Sequence, residues 1–232
     1  MILFCPLCNN NNCRNYFQDQ RRNYWQCPHC HLVFVDPSQR LNKTREKAQY
    51  DLHQNSPDDV AYRQFLSRLY KPLIERIDSP ERIDSPEHID SPEHMNSNAQ
   101  GLDFGCGPGP TLSTMFEEAG YSITLYDIFY ANNSSALEQP YHFITATEVV
   151  EHLFSPGKVF HKLWKILLPG GTLGLMTKLN TNQRAFSTWH YKNDPSHVCF
   201  FSRETFSWLA KGLDAELNII GQDVILLRKK CA

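Results

Sequence analysis

Two clusters of side chains in this 232-residue sequence are of the right types and spacing to do chemistry. Cys5-Pro6-Leu7-Cys8 and Cys27-Pro28-His29-Cys30 are two C-x-x-C pairs with 18 residues between them. Each pair bends into a turn that points two thiolates at one ion, and the spacer lets the turns face each other tetrahedrally. Cys5, Cys8, Cys27 and Cys30 are therefore predicted zinc ligands. Two unrelated pairs, or a redox C-x-x-C, form the alternative, but a redox motif needs one pair rather than two at ribbon spacing. Cys13, His29 and His31 stand outside the pattern. The second cluster is Glu148-Val149-Val150-Glu151-His152. At helical spacing its two carboxylates and its imidazole share one face. Such a set could hold Mg²⁺ or another divalent ion with open positions for a substrate diol, or could supply a general base. A purely structural role for Glu151 and His152 is the competing reading.

The elements that must position these groups can be read along the chain. Around the cysteines, Arg14–Gln18 and Tyr24–Gln26 form a hairpin about a turn at Asp19–Asn23, and Leu32–Val35 supplies a closing strand. So few apolar residues could not hold residues 1–36 by themselves, whereas structural zinc contributes about 10–16 kcal/mol in small zinc peptides. Support of structure is the favoured role of this ribbon, and a grip on substrate is the alternative. A helical connector spans 37–76. Ser56-Pro57-Asp58-Asp59 is a helix start, and Tyr62, Phe65, Leu66, Leu69, Tyr70, Leu73 and Ile77 follow as an apolar stripe. The stripe suits a core-covering helix, with a lid as the alternative, and Pro72 predicts a kink or an end. Residues 77–97 repeat the hexapeptide Ile-Asp-Ser-Pro-Glu-Arg/His, an acidic, proline-punctuated linker that cannot continue a helix.

From 98 to 232 strands and helices alternate, which predicts an α/β, doubly wound sheet. Leu102-Asp103-Phe104 runs into Gly105-Cys106-Gly107-Pro108-Gly109, a helix covers Pro110–Ala119, and Ser122–Tyr126 ends in Asp127. A glycine turn admits a ligand close to the backbone, and an acid closing the next strand suits a ribose diol. A dinucleotide fingerprint would need glycine at position 110, which is Pro110. Phe143–Thr147, Pro156–Leu167, Thr172–Lys178 after a Pro169–Gly171 turn, Ser202–Lys211 and a terminal hairpin complete the pattern. Trp189-His190-Tyr191 and Asp194–Val198 form a loop whose aromatics and histidines suit contact with substrate.

L-D-F-G-C-G-P-G (102–109), Asp127, E-V-V-E-H (148–152) and L-L-P-G-G-T-L (167–173) together resemble the class I S-adenosylmethionine-dependent methyltransferases, over about residues 100–230. The resemblance implies a Rossmann-like fold and S-adenosylmethionine as cofactor. It implies Asp103, Gly105, Cys106 and Gly107 around the methionine part, Asp127 on the ribose hydroxyls, and Glu148 near the sulfonium. The E-x-x-E-H motif is similar to that of ubiquinone-pathway O-methyltransferases and of small-RNA 2′-O-methyltransferases. That implies a metal or catalytic role for Glu148, Glu151 and His152, joined by His197. The sequence departs from the family between Asp127 and Phe143, where only 15 residues stand and a helix with a further strand is usual. His142 occupies a position that is often aspartate. The sheet is therefore expected to be trimmed between its second and fourth strands.

Charge narrows the acceptor. Residues 1–76 carry 11 Lys/Arg against 7 Asp/Glu, residues 77–232 carry 12 against 18, and the whole chain has a formal net charge of −2. RNA affinity rests on phosphate neutralisation, so this near-neutral chain weighs against RNA and favours a hydroxyl on a small molecule or sugar. A catalytically silent ribbon adapter is the remaining alternative, and the intact glycine turn with Asp127 weighs against it. No apolar run reaches the ~18–20 residues of a membrane span, and Met1–Pro6 lacks a signal-peptide layout, so a cytoplasmic location is expected.

Overall fold

The computed structural model describes residues 3–52, 55–78 and 99–231, so the hexapeptide repeat beyond Asp78 lies outside the described residues. Strands β1 (Arg14–Gln18), β2 (Asn23–Gln26) and β3 (Val33–Val35) form the expected ribbon. They pair antiparallel in that order, and a fourth strand joins from far along the chain: β8 (Cys199–Phe200) pairs with β3 through Val33–Phe200 and Phe34–Cys199. The ribbon is thus sewn to the C-terminal half by backbone hydrogen bonds. Its Tyr16, Tyr24 and Phe34 are buried in one apolar cluster with Phe186, Phe200 and Phe201.

The main sheet has six strands in the order β5-β4-β6-β7-β10-β9. Strands β4 (Gln100–Phe104), β5 (Ser122–Tyr126), β6 (Tyr141–Thr147) and β7 (Leu167–Met176) run parallel. β9 (Ala215–Ile220) and β10 (Val224–Lys229) close the sheet as an antiparallel hairpin. β5 is the edge, because residues 128–140 supply only a short 3₁₀ turn at Ser134–Leu137 where another strand would fit. This is the trimmed Rossmann-like sheet that the sequence predicts. The Pro169–Gly171 segment is not the expected turn. It lies inside β7 as an irregularity, with Gly170 at φ 72° and a register shift against β6.

Helices cover both faces. On one, α2 (Val60–Ile77) packs with α3 (Thr111–Glu118). Leu66, Leu69, Leu73 and Ile77 share a cluster with Phe116, Phe143 and Met176, so the stripe covers the core as expected. A Cβ on Gly174 would stand 3.0 Å from Leu69 Cδ1, so the glycine lets α2 sit close to β7. Pro72 does not end the helix, which continues to Ile77. One missing N–H is outweighed by the four buried apolar side chains that flank it. The helix also starts later than Ser56, with Asp59 accepting from the Ala61 and Tyr62 N–H groups. On the other face lie α4 (Pro156–Ile166) and α6 (Arg203–Leu213).

Among the described residues two short helices are not singled out by the sequence expectations, one inside the helical connector and the other at Gln183–Thr188. α1 (Lys43–Tyr50) buries no residue fully, and its lack of an apolar stripe hides it from periodicity. It lies over the ends of the parallel strands, with the Tyr50 ring 5.7 Å from that of Phe129 and 5.1 Å from His152.

Candidate functional site

Ligands of open α/β sheets sit at the carboxyl ends of the strands, where strand order reverses. Here β4 has β5 on one side and β6 on the other, so that point falls above β4 and β6. Gly105 takes φ 77°, and the N–H groups of Gly105 and Cys106 both reach the Tyr126 carbonyl, at 2.7 and 3.3 Å. A Cβ on Gly105 would strike the Val149 side chain, while one on Gly107 (φ 66°) would meet nothing within 4 Å among the described residues. The turn is therefore tight beneath and open above, the form of a cradle. Gly105→Ala combines a left-handed conformation, worth about 1–2 kcal/mol, with that collision. It is expected to lower the melting temperature by several degrees and to weaken cofactor binding, both readable in a thermal shift titration.

Asp127 is buried, and its carboxylate organises the mouth of the cradle. Oδ2 accepts from the Gly107 N–H at 3.2 Å, and Oδ1 from those of Phe129 and Tyr130 at 2.7 and 3.1 Å. Asp103 lies deeper, accepting from the Ser113 and Thr145 hydroxyls at 2.7 and 2.8 Å; burial pushes its carboxyl pKa up. Burial also raises the Cys106 thiol to about 12, so it stays protonated and small rather than nucleophilic.

Beside the cradle, β6 is followed at once by Glu148, a non-glycine residue at φ 52° whose N–H donates to the Met176 carbonyl at 2.8 Å. The chain then forms a 3₁₀ turn, Val150–His152, rather than a full helix. Glu151 is fully buried and His152 nearly so. The loop from 190 to 198 closes over them. The Tyr191 hydroxyl lies within hydrogen-bond reach of Glu148 Oε2 at 3.3 Å, of Glu151 Oε1 more closely, and of Thr177 Oγ1 at 3.4 Å. Its single hydroxyl proton can be donated to one carboxylate at a time. Burial raises Glu148 to about 7, and burial followed by the Glu148 charge raises Glu151 to about 8. Glu148 Oε1 and Glu151 Oε2 are buried with no hydrogen-bond partner among the described residues.

The histidines stand alongside. His152 Nδ1 meets the Ser196 carbonyl at 3.2 Å, His197 Nδ1 meets the Tyr191 carbonyl at 2.7 Å, and the rings are 4.6 Å apart. Burial lowers the His197 pKa. Ligand atoms of Glu151, His152 and His197 lie within 4.8 Å of one another. The structure thus brings together Glu148, Glu151, His152 and His197, and adds Tyr191 as the bridge and Tyr50 as a wall. Tyr191 was marked in sequence only as part of an aromatic loop. Tyr50 had no signal.

The four ribbon cysteines also converge. Their Sγ atoms all lie within 4.8 Å of one another, with Cys5–Cys30 at 3.5 Å and Cys8–Cys27 at 3.4 Å. A tetrahedral thiolate site with bonds of about 2.3 Å separates its sulfurs by about 3.8 Å, so the cluster is compatible with zinc. Cys13, His29 and His31 are not in it.

A family profile described as "Methyltransferase domain" matches residues 62–218, more than half of the chain. No curated protein sequence matches it. Among solved structures, the chain is similar to an O-methyltransferase family protein from Burkholderia thailandensis, at 9% identity and TM-score 0.47, over 81% of this chain and 63% of that one. It is also similar to an O-methyltransferase family 2 protein from Planctomyces limnophilus in complex with apigenin, at 14% identity and TM-score 0.44, over 75% and 62% of the two chains. A third similar structure is an S-adenosylmethionine-dependent methyltransferase from Archaeoglobus fulgidus, at 16% identity and TM-score 0.44, over 56% and 86%. The chain spans less than two thirds of the length of the first two.

Proposed function

The chain belongs to the methyltransferase-domain family, whose enzymes use S-adenosylmethionine, and on that premise we propose that it transfers a methyl group to a hydroxyl of a small molecule or sugar. The observation that carries the hydroxyl reading is the pair of buried carboxylates beside the glycine cradle, each with one oxygen unpartnered. A hydroxyl is a poor nucleophile until its proton leaves, and a carboxyl whose pKa stands near 7 or 8 is ionised in part at neutral pH and in that form accepts the proton.

The cofactor fits the residues present: a cradle open above Gly107, with an acid beside it. Gly105, Cys106 and Gly107 would line its methionine part over Asp103, Asp127 would take the ribose hydroxyls, and Glu148 would face the sulfonium. When bound, S-adenosylmethionine supplies an electrophilic methyl group for in-line displacement. Glu148 and Glu151 take up the acceptor proton, Tyr191 holds the two carboxyls in register, and His152 and His197 orient the acceptor. Asp127→Ala loses a charged acceptor for two hydroxyls and is expected to weaken S-adenosylmethionine binding about 10- to 100-fold in titration calorimetry. An unchanged affinity would remove Asp127 from the cofactor site.

A divalent ion at Glu151, His152 and His197 is a second reading, favoured by the convergence of their ligand atoms. It would lower the acceptor hydroxyl pKa directly. For the ribbon we propose structural zinc on Cys5, Cys8, Cys27 and Cys30, whose reduced thiolates suit a cytoplasmic compartment. Among the described residues no helix is long and apolar enough to cross a membrane.

The deciding experiment offers methyl-labelled S-adenosylmethionine to phenols and catechols, to sugars and to RNA. Label on the oxygen of a small molecule or sugar supports the reading. Label on RNA, on nitrogen or on carbon overturns it.

A further inference from the structure

We infer that Arg22, in the turn of the ribbon hairpin, positions the loop that carries Tyr191 and His197, making the cysteine module a working part of the acceptor side of the site. The inference rests on the function proposed above for that loop.

Arg22 is only 7% exposed although it lies in a four-residue turn of a small module. Its guanidinium faces the other half of the protein. Nη1 donates to the carbonyls of Pro195 at 3.3 Å and His197 at 2.8 Å, and Nη2 donates to those of Asp194 at 2.9 Å and of Lys192. Nε donates to the Tyr24 hydroxyl at 3.3 Å. One side chain thus satisfies four backbone carbonyls of a loop only partly organised by a short 3₁₀ turn at His190–Asn193. Buried carbonyls need donors, and only arginine offers five N–H groups in a rigid fork. A second tie runs parallel to the first. Lys192, 5% exposed, donates from Nζ to Asp19 Oδ2 at 2.9 Å. Although burial opposes it, this contact and the N–H groups of Arg21 and Arg22 hold Asp19 down to about 2.

The other side of the same loop faces the site. Tyr191 reaches both carboxylates, the Ser196 carbonyl holds His152, and His197 packs on His152 and on the Tyr191 ring at 4.2 Å. Carbonyls turned toward Arg22 fix the loop's backbone, and so fix where these side chains point. The turn that carries Arg22 is itself fixed at its base, because β1 follows Cys13 and β2 runs directly into Cys27. The cysteine turns, which would hold a metal, thus fix the base from which Arg22 acts on the acceptor side, as a positioning residue that touches no reacting atom.

The test uses the full chain and the variants Arg22→Ala and Arg22→Lys, alone and combined with His197→Ala. Displacements of about 1 Å cost catalysis on the order of 100-fold, so Arg22→Ala is expected to slow single-turnover transfer by about that factor. S-adenosylmethionine affinity by calorimetry and zinc content should remain within about twofold, since Arg22 contacts neither site. Arg22→Lys should recover less than about tenfold, because one ammonium cannot reach four carbonyls. In the His197→Ala background, Arg22→Ala should cost no more than about threefold, the non-additivity expected when one residue acts through the other. Long-range ¹H–¹⁵N spectra should show His197 as the single Nδ1–H tautomer in the parent chain and as a mixture in Arg22→Ala. Unchanged transfer, full additivity with His197→Ala, or a parallel fall in cofactor affinity would each overturn the inference. If the parent chain methylates no acceptor, the proposed function fails, and the His197 spectra still decide the role of Arg22: an unaltered tautomer in Arg22→Ala overturns it.

Discussion

Glu151→Gln is expected to abolish methyl transfer and at the same time to raise the melting temperature at pH 8 by about 5 °C or more. Both effects come from one fact, the burial of a carboxyl whose Oε2 has no partner. In the unfolded chain a glutamate ionises near pH 4.3, whereas the folded environment holds Glu151 protonated to about 8. The folded state therefore keeps a proton that the unfolded state has lost between those two values. Its stability falls as pH rises through that window and levels off above about pH 8. Each pH unit of such a gap corresponds to about 1.4 kcal/mol, and about 1 kcal/mol moves the melting temperature of a chain this long by about 2–4 °C. Glutamine keeps the shape and never ionises, so the variant should match the parent at about pH 4 and exceed it increasingly toward pH 8. Melting curves at half-unit steps, without added divalent ion, read this directly. Parallel curves would show that the carboxyl does not titrate in this window. Adding Mg²⁺ or Mn²⁺ separates the two readings of the site: an ion bound through Glu151, His152 and His197 should stabilise the parent and leave the glutamine variant unmoved.

Cys27→Ser is expected to have the largest effect on stability. A bound structural zinc contributes about 10–16 kcal/mol in isolated zinc peptides, of the order of a whole domain's stability. The loss would not stop at the ribbon. Gly157 of α4 donates its N–H to the Pro6 carbonyl at 3.3 Å, and a Cβ there would collide with Leu7. β8 would lose its neighbour β3, and the Tyr24–Phe186–Phe200 aromatic contacts would open. The variant should lose its zinc by elemental analysis. It should also become sensitive to proteolysis near residues 190–200 as well as in the first 36. Cys13→Ser should do neither, since Cys13 lies outside the four-sulfur cluster. Retention of both zinc and resistance in Cys27→Ser would exclude the four-cysteine site.

The sheet and its cradle were legible because each depends on neighbours in sequence. Leu102–Phe104 followed by glycines and Asp127 at the end of a strand are decided within a few residues, where propensity and sterics act. The two cysteine pairs were legible for the same reason. The trimmed edge could be read from the short stretch between Asp127 and Phe143. The disagreements have equally local causes. Pro72 suggests a kink or an end because its missing N–H is visible in sequence, whereas the packing of Leu69 on Gly174, which favours a continuing helix, is not. α1 escaped because a polar helix that covers a site mouth carries no apolar stripe.

The sequence by itself therefore determined a cysteine ribbon, an α/β sheet with a cofactor-type glycine turn, and a family of enzymes. What the tertiary structure decided is the arrangement proposed as the acceptor side. The contacts that build it span 40 residues from Tyr191 to Glu151, 44 from Ser196 to His152, and 175 from Arg22 to His197. No local pattern encodes such separations. They exist because the strand at Cys199–Phe200 buries itself against the ribbon, bringing a basic turn under one face of a loop whose other face holds the carboxylates. Burial then does what sequence could not announce: it turns two ordinary glutamates into groups that exchange protons near neutral pH.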